Sequence, residues 1–436
     1  MLDVKFLEAE IRDQYFIDDN NRPWIIGFSG GKDSTMLLQI VWNAIKYFPP
    51  EIRQMRQIFV VCNNTLVENP KILDYTNKVL KSIEKAAVEQ DMPLKVQRTI
   101  PKLEDTFWLN LIGRGYPAPN NIFRWCTERL KISPTTKFIL ETVNENGEAI
   151  LLLGTREEES SNRAKNMRKH ERIGQRLRKH VLPNTYVFAP LKDVTTNEVW
   201  QYLLQVPSPW GASNRDLVTL YRNATGGDCP LVIDTTTPSC GQSRFGCWVC
   251  TVVNKDKSMT ALIDNGEEWM LPLLEIRDLL AISRDSDYYR DTRRRDGTEK
   301  SGVLGPYRPW FRAKILEEVL KAQKAIQEEE PETSLISYQE LVAIQILWYR
   351  DSIFDFRVSD TYNNIFNSNA MKPDKLDEQK QKENEILKEV CSENANDIPL
   401  INELLSLQKS KILLRKKRGL SDDLEQSLEQ FLKKQL

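Results

Sequence analysis

Six consecutive residues, Ser29-Gly30-Gly31-Lys32-Asp33-Ser34, have the types and order needed to hold a phosphate chain. The two glycines permit positive φ and let the backbone approach phosphate oxygens closely. Main-chain N–H groups at the start of a helix, with the positive end of its dipole, form an anion site. Ser29 and Ser34 add hydroxyl donors. Lys32 can neutralise charge on a leaving pyrophosphate or on an α-phosphate, and Asp33 can hold a Mg2+ ion or position a water. The spacing differs from the Walker A loop, Gly-x-x-x-x-Gly-Lys-Ser/Thr.

A second reactive group lies further down the chain. Of the cysteines Cys62, Cys126, Cys229, Cys240, Cys247, Cys250 and Cys391, four fall between residues 229 and 250 in the pattern C-x10-C-x6-C-x2-C. Glycines and prolines around them let a loop wrap a cofactor. Four thiolates suit tetrahedral zinc or a [4Fe–4S] cluster. Zinc ribbons usually pair two C-x2-C knuckles. Here only Cys247-Trp248-Val249-Cys250 forms one, so iron–sulfur is the expectation, with Cys229, Cys240, Cys247 and Cys250 as ligands. Cys62 ends an apolar run and reads as core, and Cys391 as incidental. His170 and His180 are the only histidines, which excludes a site built on several of them.

The elements that must position these residues follow from hydrophobic patterning. Residues 24–28 read as a short buried strand, and the Gly-rich turn follows it directly. A helical pattern then runs through Met36, Leu37, Ile40, Val41 and Ile45. Further buried strands are expected at 57–62, from 93 to 97 and at 149–153, with a long helix over about 70–90. Strands alternating with helices imply a parallel sheet covered on both faces. Ligands on such sheets bind at the carboxyl ends of the strands, where strand order switches. Long helices are expected near 311–328 and 337–351.

The chain of 436 residues has a net charge of −1, so a polyanion must be met by local basic patches rather than by the whole surface. One candidate patch is Arg163 to His180, with Arg163, Lys165, Arg168, Lys169, Arg172, Arg176, Arg178 and Lys179 against Glu171 alone. Arg290, Arg293, Arg294 and Arg295 form another. Both have the character of a phosphate-backbone footprint. No apolar run is long enough to span a bilayer, and the sequence Met1-Leu2-Asp3-Val4-Lys5 lacks a signal-peptide pattern. A cytoplasmic location without membrane contact is the expectation.

The loop at 29–34 resembles the PP-loop of ATP pyrophosphatases, which implies cleavage of ATP to AMP and pyrophosphate. Two further segments are similar to the PAPS reductase-like branch of that fold. The first is Arg124-Trp125-Cys126 through Lys131 to Pro134; the second is Gly154-Thr155-Arg156 through Ser160 to Arg163. The second follows a strand, so Arg156, Ser160 and Arg163 are expected anion ligands. Arg124 and Lys131 divide evenly between phosphate binding and helix-surface charge. Pro190-Leu191-Lys192-Asp193 and the segment to Trp200 resemble a helix start of the same branch, with Thr195 or Thr196 as its cap.

Taken with the four-cysteine loop and a helical C-terminal region, these motifs resemble the DndC family of bacterial DNA phosphorothioation. The resemblance implies an adenine-nucleotide α-hydrolase-like α/β fold, ATP with Mg2+, a [4Fe–4S] cluster, and DNA as acceptor. It also implies a cysteine desulfurase as sulfur donor and other phosphorothioation proteins as partners. Catalytic expectations fall on Lys32, Asp33, Arg156 and Cys126, with Cys126 as persulfide carrier. In reductases of the branch, the position of Cys126 ligates the cluster together with a later C-x2-C, so that alternative stays open. The alternatives to DNA sulfur modification are an RNA thiolase or sulfonucleotide reductase, and a non-catalytic iron–sulfur nucleic-acid-binding subunit. The expected regions are a PP-loop domain (1–225), an iron–sulfur loop (226–262), a helical region with a basic loop (263–371) and a charged tail (372–436).

Overall fold

The computed structural model describes residues 2–17, 21–159, 176–224, 246–294, 302–350, 356–372 and 375–392, and scattered positions beyond. Two compact units arise, Met1–Lys102 with Arg124–Leu274, and Leu103–Phe123 with Glu275–Leu436.

The first unit is built on six strands: β1 (Trp24–Gly27), β2 (Ile58–Asn63), β3 (Leu94–Thr99), β4 (Ala149–Leu152), β5 (Arg178–Lys179) and β6 (Thr185–Phe188). Their order is β3-β2-β1-β4-β6-β5. All neighbours run parallel except β5, which is antiparallel to β6. The central strands β1 and β4 are apolar on both faces because helices cover both. Helices α1 (Val4–Ile17), α2 (Lys32–Ile45), α3 (Pro50–Arg53) and α4 (Pro70–Glu89) precede α5 (Ser133–Asn146). Trp24 and Ile26 point into a core with Met36, Leu37, Ile40 and Val41 of α2. Ile25, Val61 and Leu151 point the other way, onto Ile139 and Val143 of α5. Each fully buried Leu, Ile or Val stabilises the sandwich by roughly 1.5–3 kcal/mol.

The chain steps outward from β1 to β2 and β3, then returns to place β4 on the other side of β1. Strand order therefore switches between β1 and β4, and the crevice beyond their carboxyl ends is the place for a ligand. Helices α6 (Thr196–Gln205), α7 (Asn214–Asn223) and α8 (Lys257–Asp264) complete the unit, and the boundary at Leu274 falls within α9 (Leu271–Ser283). Thr195 is the cap of α6: its hydroxyl accepts from the Glu198 N–H, and Glu198 answers to the Thr195 N–H.

The second unit holds α10 (Pro309–Ile326), α11 (Tyr338–Arg350), α12 (Val358–Phe366) and α13 (Lys375–Val390). The distant segment Leu103–Phe123 belongs to it through a π-helical turn at Leu109–Gly113. Buried side chains close the orphaned carbonyls of that turn. The Ile112 carbonyl accepts from Trp348 Nε1 at 3.0 Å and from Arg312 Nε at 2.7 Å, and the Gly113 carbonyl accepts from Arg312 Nη2. Trp108 Nε1 donates to the Leu335 carbonyl at 2.7 Å. Among the described residues, no helix is long and apolar enough to cross a membrane.

One arginine of each basic cluster takes on internal work. Arg290 donates to the carbonyls of Gly305 (2.8 Å), Arg284 (2.6 Å) and Leu304 (2.5 Å), which engages its guanidinium in holding its own loop. Arg176 forks onto Glu10 and Asp13 of α1, with closest approaches of 2.9 and 2.8 Å. Residues 163–175 and Arg295 lie outside the described residues.

Candidate functional site

The loop after β1 adopts the geometry its residue types allow. Gly30 has φ +72°, and a Cβ there would stand 2.5 Å from Thr76 Oγ1. Gly31 is extended at the N-cap of α2, which begins at Lys32. Ser34 Oγ donates to the Gly31 carbonyl at 3.0 Å and accepts from the Ser29 N–H at 3.2 Å, folding the loop on itself. The two serine hydroxyls lie 3.2 Å apart.

Lys32 and Asp33 pair with each other, Nζ to Oδ2 at 3.0 Å. The Lys32 ammonium lies 5.8 Å from the ring centroid of Tyr221, and the Lys32 N–H points to the Tyr221 hydroxyl at 3.5 Å. Tyr221, on α7, is fully enclosed and its phenol pKa is raised by burial. The second oxygen of Asp33 receives Arg156 Nε at 2.7 Å. Arg156 is 1% exposed. Its other nitrogens donate to Glu158 Oε2 (3.1 Å), the Val194 carbonyl (3.0 Å) and Thr196 Oγ1 (3.1 Å). Glu158 also accepts from the Thr196 N–H at 2.5 Å, at the start of α6. Burial works against the Glu158 carboxylate, but the bonds from Thr196 and Arg156 outweigh it and hold its pKa low.

Thus Arg156, expected to bind an anion itself, has each nitrogen engaged by protein oxygens. The sequence signal was right about place, directly after β4, and silent about partners. Gly154 explains how β4 comes so near: a Cβ there would lie 2.9 Å from the Asp33 carbonyl oxygen. We expect Gly154→Ala to push the Lys32–Asp33 backbone away, destabilising the fold by about 1–3 kcal/mol. Thermal unfolding and pyrophosphate titration would register it; an unchanged Tm and affinity would contradict the packing argument.

A cavity of about 910 Å³ runs from this loop along the carboxyl ends of the strands. Its near end holds residues 27–34, Thr155, Arg156 and Tyr221; its far end holds Cys62, Arg98, Glu68 and Lys131. The Thr155 hydroxyl is buried and has no hydrogen-bond partner among the described residues. Arg124 is exposed and outside this wall.

The far end reaches the C-x2-C knuckle. Trp248 N–H donates to the Val67 carbonyl at 3.0 Å, and Cys247 pairs with Glu68 as an isolated β-bridge. Thr65 Oγ1 lies 3.3 Å from Cys247 Sγ and 2.8 Å from Glu68 Oε1. Burial, and then the Glu68 charge, push the Cys247 thiol up to about 12. Burial likewise raises Cys126, with a smaller upward contribution from Cys250. The Lys131 ammonium is held above its ordinary range by charge at Cys247 first, then at Glu68, Cys126 and Cys250. Cys247 itself is protonated at neutral pH without a metal. The cysteines add their charge when a metal displaces their protons.

Lys131 therefore marks a point within electrostatic reach of Cys126, Cys247 and Cys250. A π-helical turn, Thr127–Ile132, lies between Cys126 and α5 and carries Lys131. Cys229, Cys240, Ser160 and Arg163 lie outside the described residues, and among those described no three His, Cys, Asp or Glu side chains are already grouped to hold a metal ion. The donor types suit a cluster, since Cys126, Cys247 and Cys250 are thiols that each bear electrostatically on Lys131. Sequence reasoning missed Tyr221, Thr155, Thr65 and Glu68. Thr65 and Glu68 had a usable signal, since both follow the carboxyl end of a strand.

Comparison with known proteins fits this geometry. The model of the phosphoadenosine phosphosulfate reductase domain matches residues 23–253, more than half of the chain and the whole of its sheet. The chain belongs to this family. Members of the phosphoadenosine phosphosulfate reductase family are enzymes acting on nucleotides or nucleic acids. Within reach of this family member is an uncharacterized protein of Methanocaldococcus jannaschii, 29% identical over 194 residues. That match takes in 43% of this chain and about a third (33%) of the relative's length. Two solved structures are also similar. The phosphoadenylyl-sulfate reductase of Candida auris, a phosphate complex, has 13% identity and a TM-score of 0.28, over 47% of this chain and 87% of that one. The U34-tRNA thiolase NcsA of Methanococcus maripaludis, with its [4Fe-4S] cluster, has 15% identity and a TM-score of 0.27, over 50% and 72%.

Proposed function

We propose that this protein is an ATP-dependent sulfurtransferase of DNA phosphorothioation, as its resemblance to the DndC family implies. One observation carries the reading: a single cavity joins the phosphate loop at Ser29–Ser34 to the wall of Glu68 and Lys131, against which Cys247 is packed. Nucleotide activation and sulfur chemistry then share one chamber.

The reaction follows from the chemistry of the acceptor. A non-bridging oxygen of a DNA phosphodiester attacks the α-phosphorus of ATP, forming an O–P bond while the bond to pyrophosphate breaks. A sulfide-level nucleophile attacks the DNA phosphorus, and the former phosphate oxygen departs with AMP. The loop amides, Ser29, Ser34 and Lys32 bind the β- and γ-phosphates that leave. Thr155 adds a hydroxyl beside them. Asp33 orients Mg2+. Lys131 screens the repulsion between acceptor phosphate and nucleotide. Cys126, Cys247 and Cys250 would hold the cluster. With three thiolate ligands it would supply one open iron for sulfur, delivered by a cysteine desulfurase with partner proteins.

The test measures pyrophosphate released from ATP by anaerobically purified protein with duplex DNA and a sulfide source. Mass spectrometry of digested DNA from expressing cells should reveal a sulfur-containing dinucleotide. Absence of both sinks the proposal. Since the matching family is named for a reductase of phosphoadenylyl sulfate, the second reading is a sulfonucleotide reductase. Sulfite formed from that substrate, without pyrophosphate from ATP, would select it.

A further inference from the structure

Three charged side chains share the floor of the cavity, yet they are held very differently. Lys32 has a flexible stem and pairs with one carboxylate, Asp33, at 3.0 Å. Arg156 is locked: its three nitrogens donate to Asp33, Glu158, the Val194 carbonyl and Thr196. Those four acceptors come from α2, from the turn after β4 and from the start of α6, so turning the guanidinium would leave buried groups unpaired on three elements. Arg156 is thus a poor candidate for direct anion contact, although it lines the cavity.

We propose that Arg156 is a positioning residue that keeps the Asp33 carboxylate fixed and charge-compensated, so that Lys32 can exchange from Asp33 onto an incoming phosphate chain. The inference rests on reading the loop at 29–34 as an anion site. A phosphate chain carries more charge than a carboxylate and draws the ammonium away from it. Without Arg156, that exchange would abandon Asp33 as an unpaired carboxylate beside a polyanion. With Arg156 at 2.7 Å on the opposite oxygen, Asp33 keeps a partner throughout. Glu158 steadies the clamp by accepting from both Arg156 and the Thr196 N–H.

The test is a double-mutant cycle read by calorimetric titration of the full-length protein with inorganic pyrophosphate, without divalent metal. Binding to the unaltered protein tests the anion-site reading; the pattern among variants tests the exchange. Asp33→Asn removes the charge that holds Lys32 back, and should tighten pyrophosphate binding by about 10-fold. Arg156→Gln leaves Lys32 as the sole cation on Asp33, and should weaken binding by about 10-fold. In the Asp33→Asn background, Arg156→Gln should have little further effect. An equal loss in both backgrounds would overturn the proposal, because Arg156 would then touch the anion or act through folding. Unchanged or weaker binding in Asp33→Asn alone would overturn it as well. Should Arg156→Gln fail to fold by circular dichroism, Arg156→Lys replaces it, with a smaller loss that Asp33→Asn again abolishes.

Discussion

Replacing Lys32 with alanine is expected to lower pyrophosphate release from ATP by about 10²- to 10³-fold, the effect of losing one preorganised charge stabiliser. The size follows from the lack of a substitute at the loop. Lys32 is only 6% exposed and stands at the first turn of α2, where a leaving pyrophosphate would lie. Arg156, the other cation at that end, is engaged by four protein acceptors and cannot take over. Stability should change little, since Asp33 retains Arg156 at 2.7 Å when the lysine is gone. The measurement is single-turnover pyrophosphate release with saturating ATP, with Lys32→Arg alongside as a charge-retaining control. Full activity in Lys32→Ala would remove the lysine from the mechanism and leave the helix N–H groups as the whole anion site.

Cys126→Ser is expected to abolish iron and acid-labile sulfide incorporation on anaerobic reconstitution. The structure couples Cys126 to Cys250, and both to Lys131, across a sequence distance that would otherwise give no reason to group them. A thiolate ligand replaced by a hydroxyl loses the soft donor that iron–sulfur clusters require. Cys62→Ser is the matched control. Cys62 belongs to the core under β2, burial pushes its thiol up to about 11, and its loss should leave iron content intact. If Cys126→Ser retains the cluster while Cys229→Ser and Cys240→Ser both lose it, Cys126 returns to the role of a persulfide carrier.

The strands nearest the site were legible because burial on both faces leaves a plain trace. Trp24-Ile25-Ile26 and Ala149-Ile150-Leu151-Leu152 are apolar runs bounded by polar turns, and each lies within about a residue of its expected position. The loop at 29–34 was legible because two adjacent glycines, then a lysine and a serine, stand in fixed order directly after the apolar run of β1. The partners of Arg156 were not. Val194 and Thr196 arrive from about forty positions on, and nothing in residues 154–163 announces them. The relation between the knuckle and the strands was hidden for a related reason. Closeness in sequence favoured 229–250, of which 229 and 240 lie outside the described residues, and nothing in the sequence announced that Cys247 would pair with Glu68 beyond β2. The segment Leu103–Phe123 shows the same limit: the Ile112 carbonyl of its π-helical turn finds side-chain donors two hundred residues or more away.

The π-helical turn at Thr127–Ile132 makes the alignment of Cys126 with Lys131 depend on residue count rather than on residue type. In an α-helix each residue turns the chain by about 100°, so positions five apart face well away from each other. The wider turn, closed by the Ser133 N–H onto the Glu128 carbonyl, brings positions five apart back towards one side. Loss of one residue between them would restore an ordinary helix with the two positions four apart, and these still share a face. A relative can therefore keep the pair aligned with five positions on a π turn or with four on a plain helix. A motif search that fixes the spacing at five would miss the second kind.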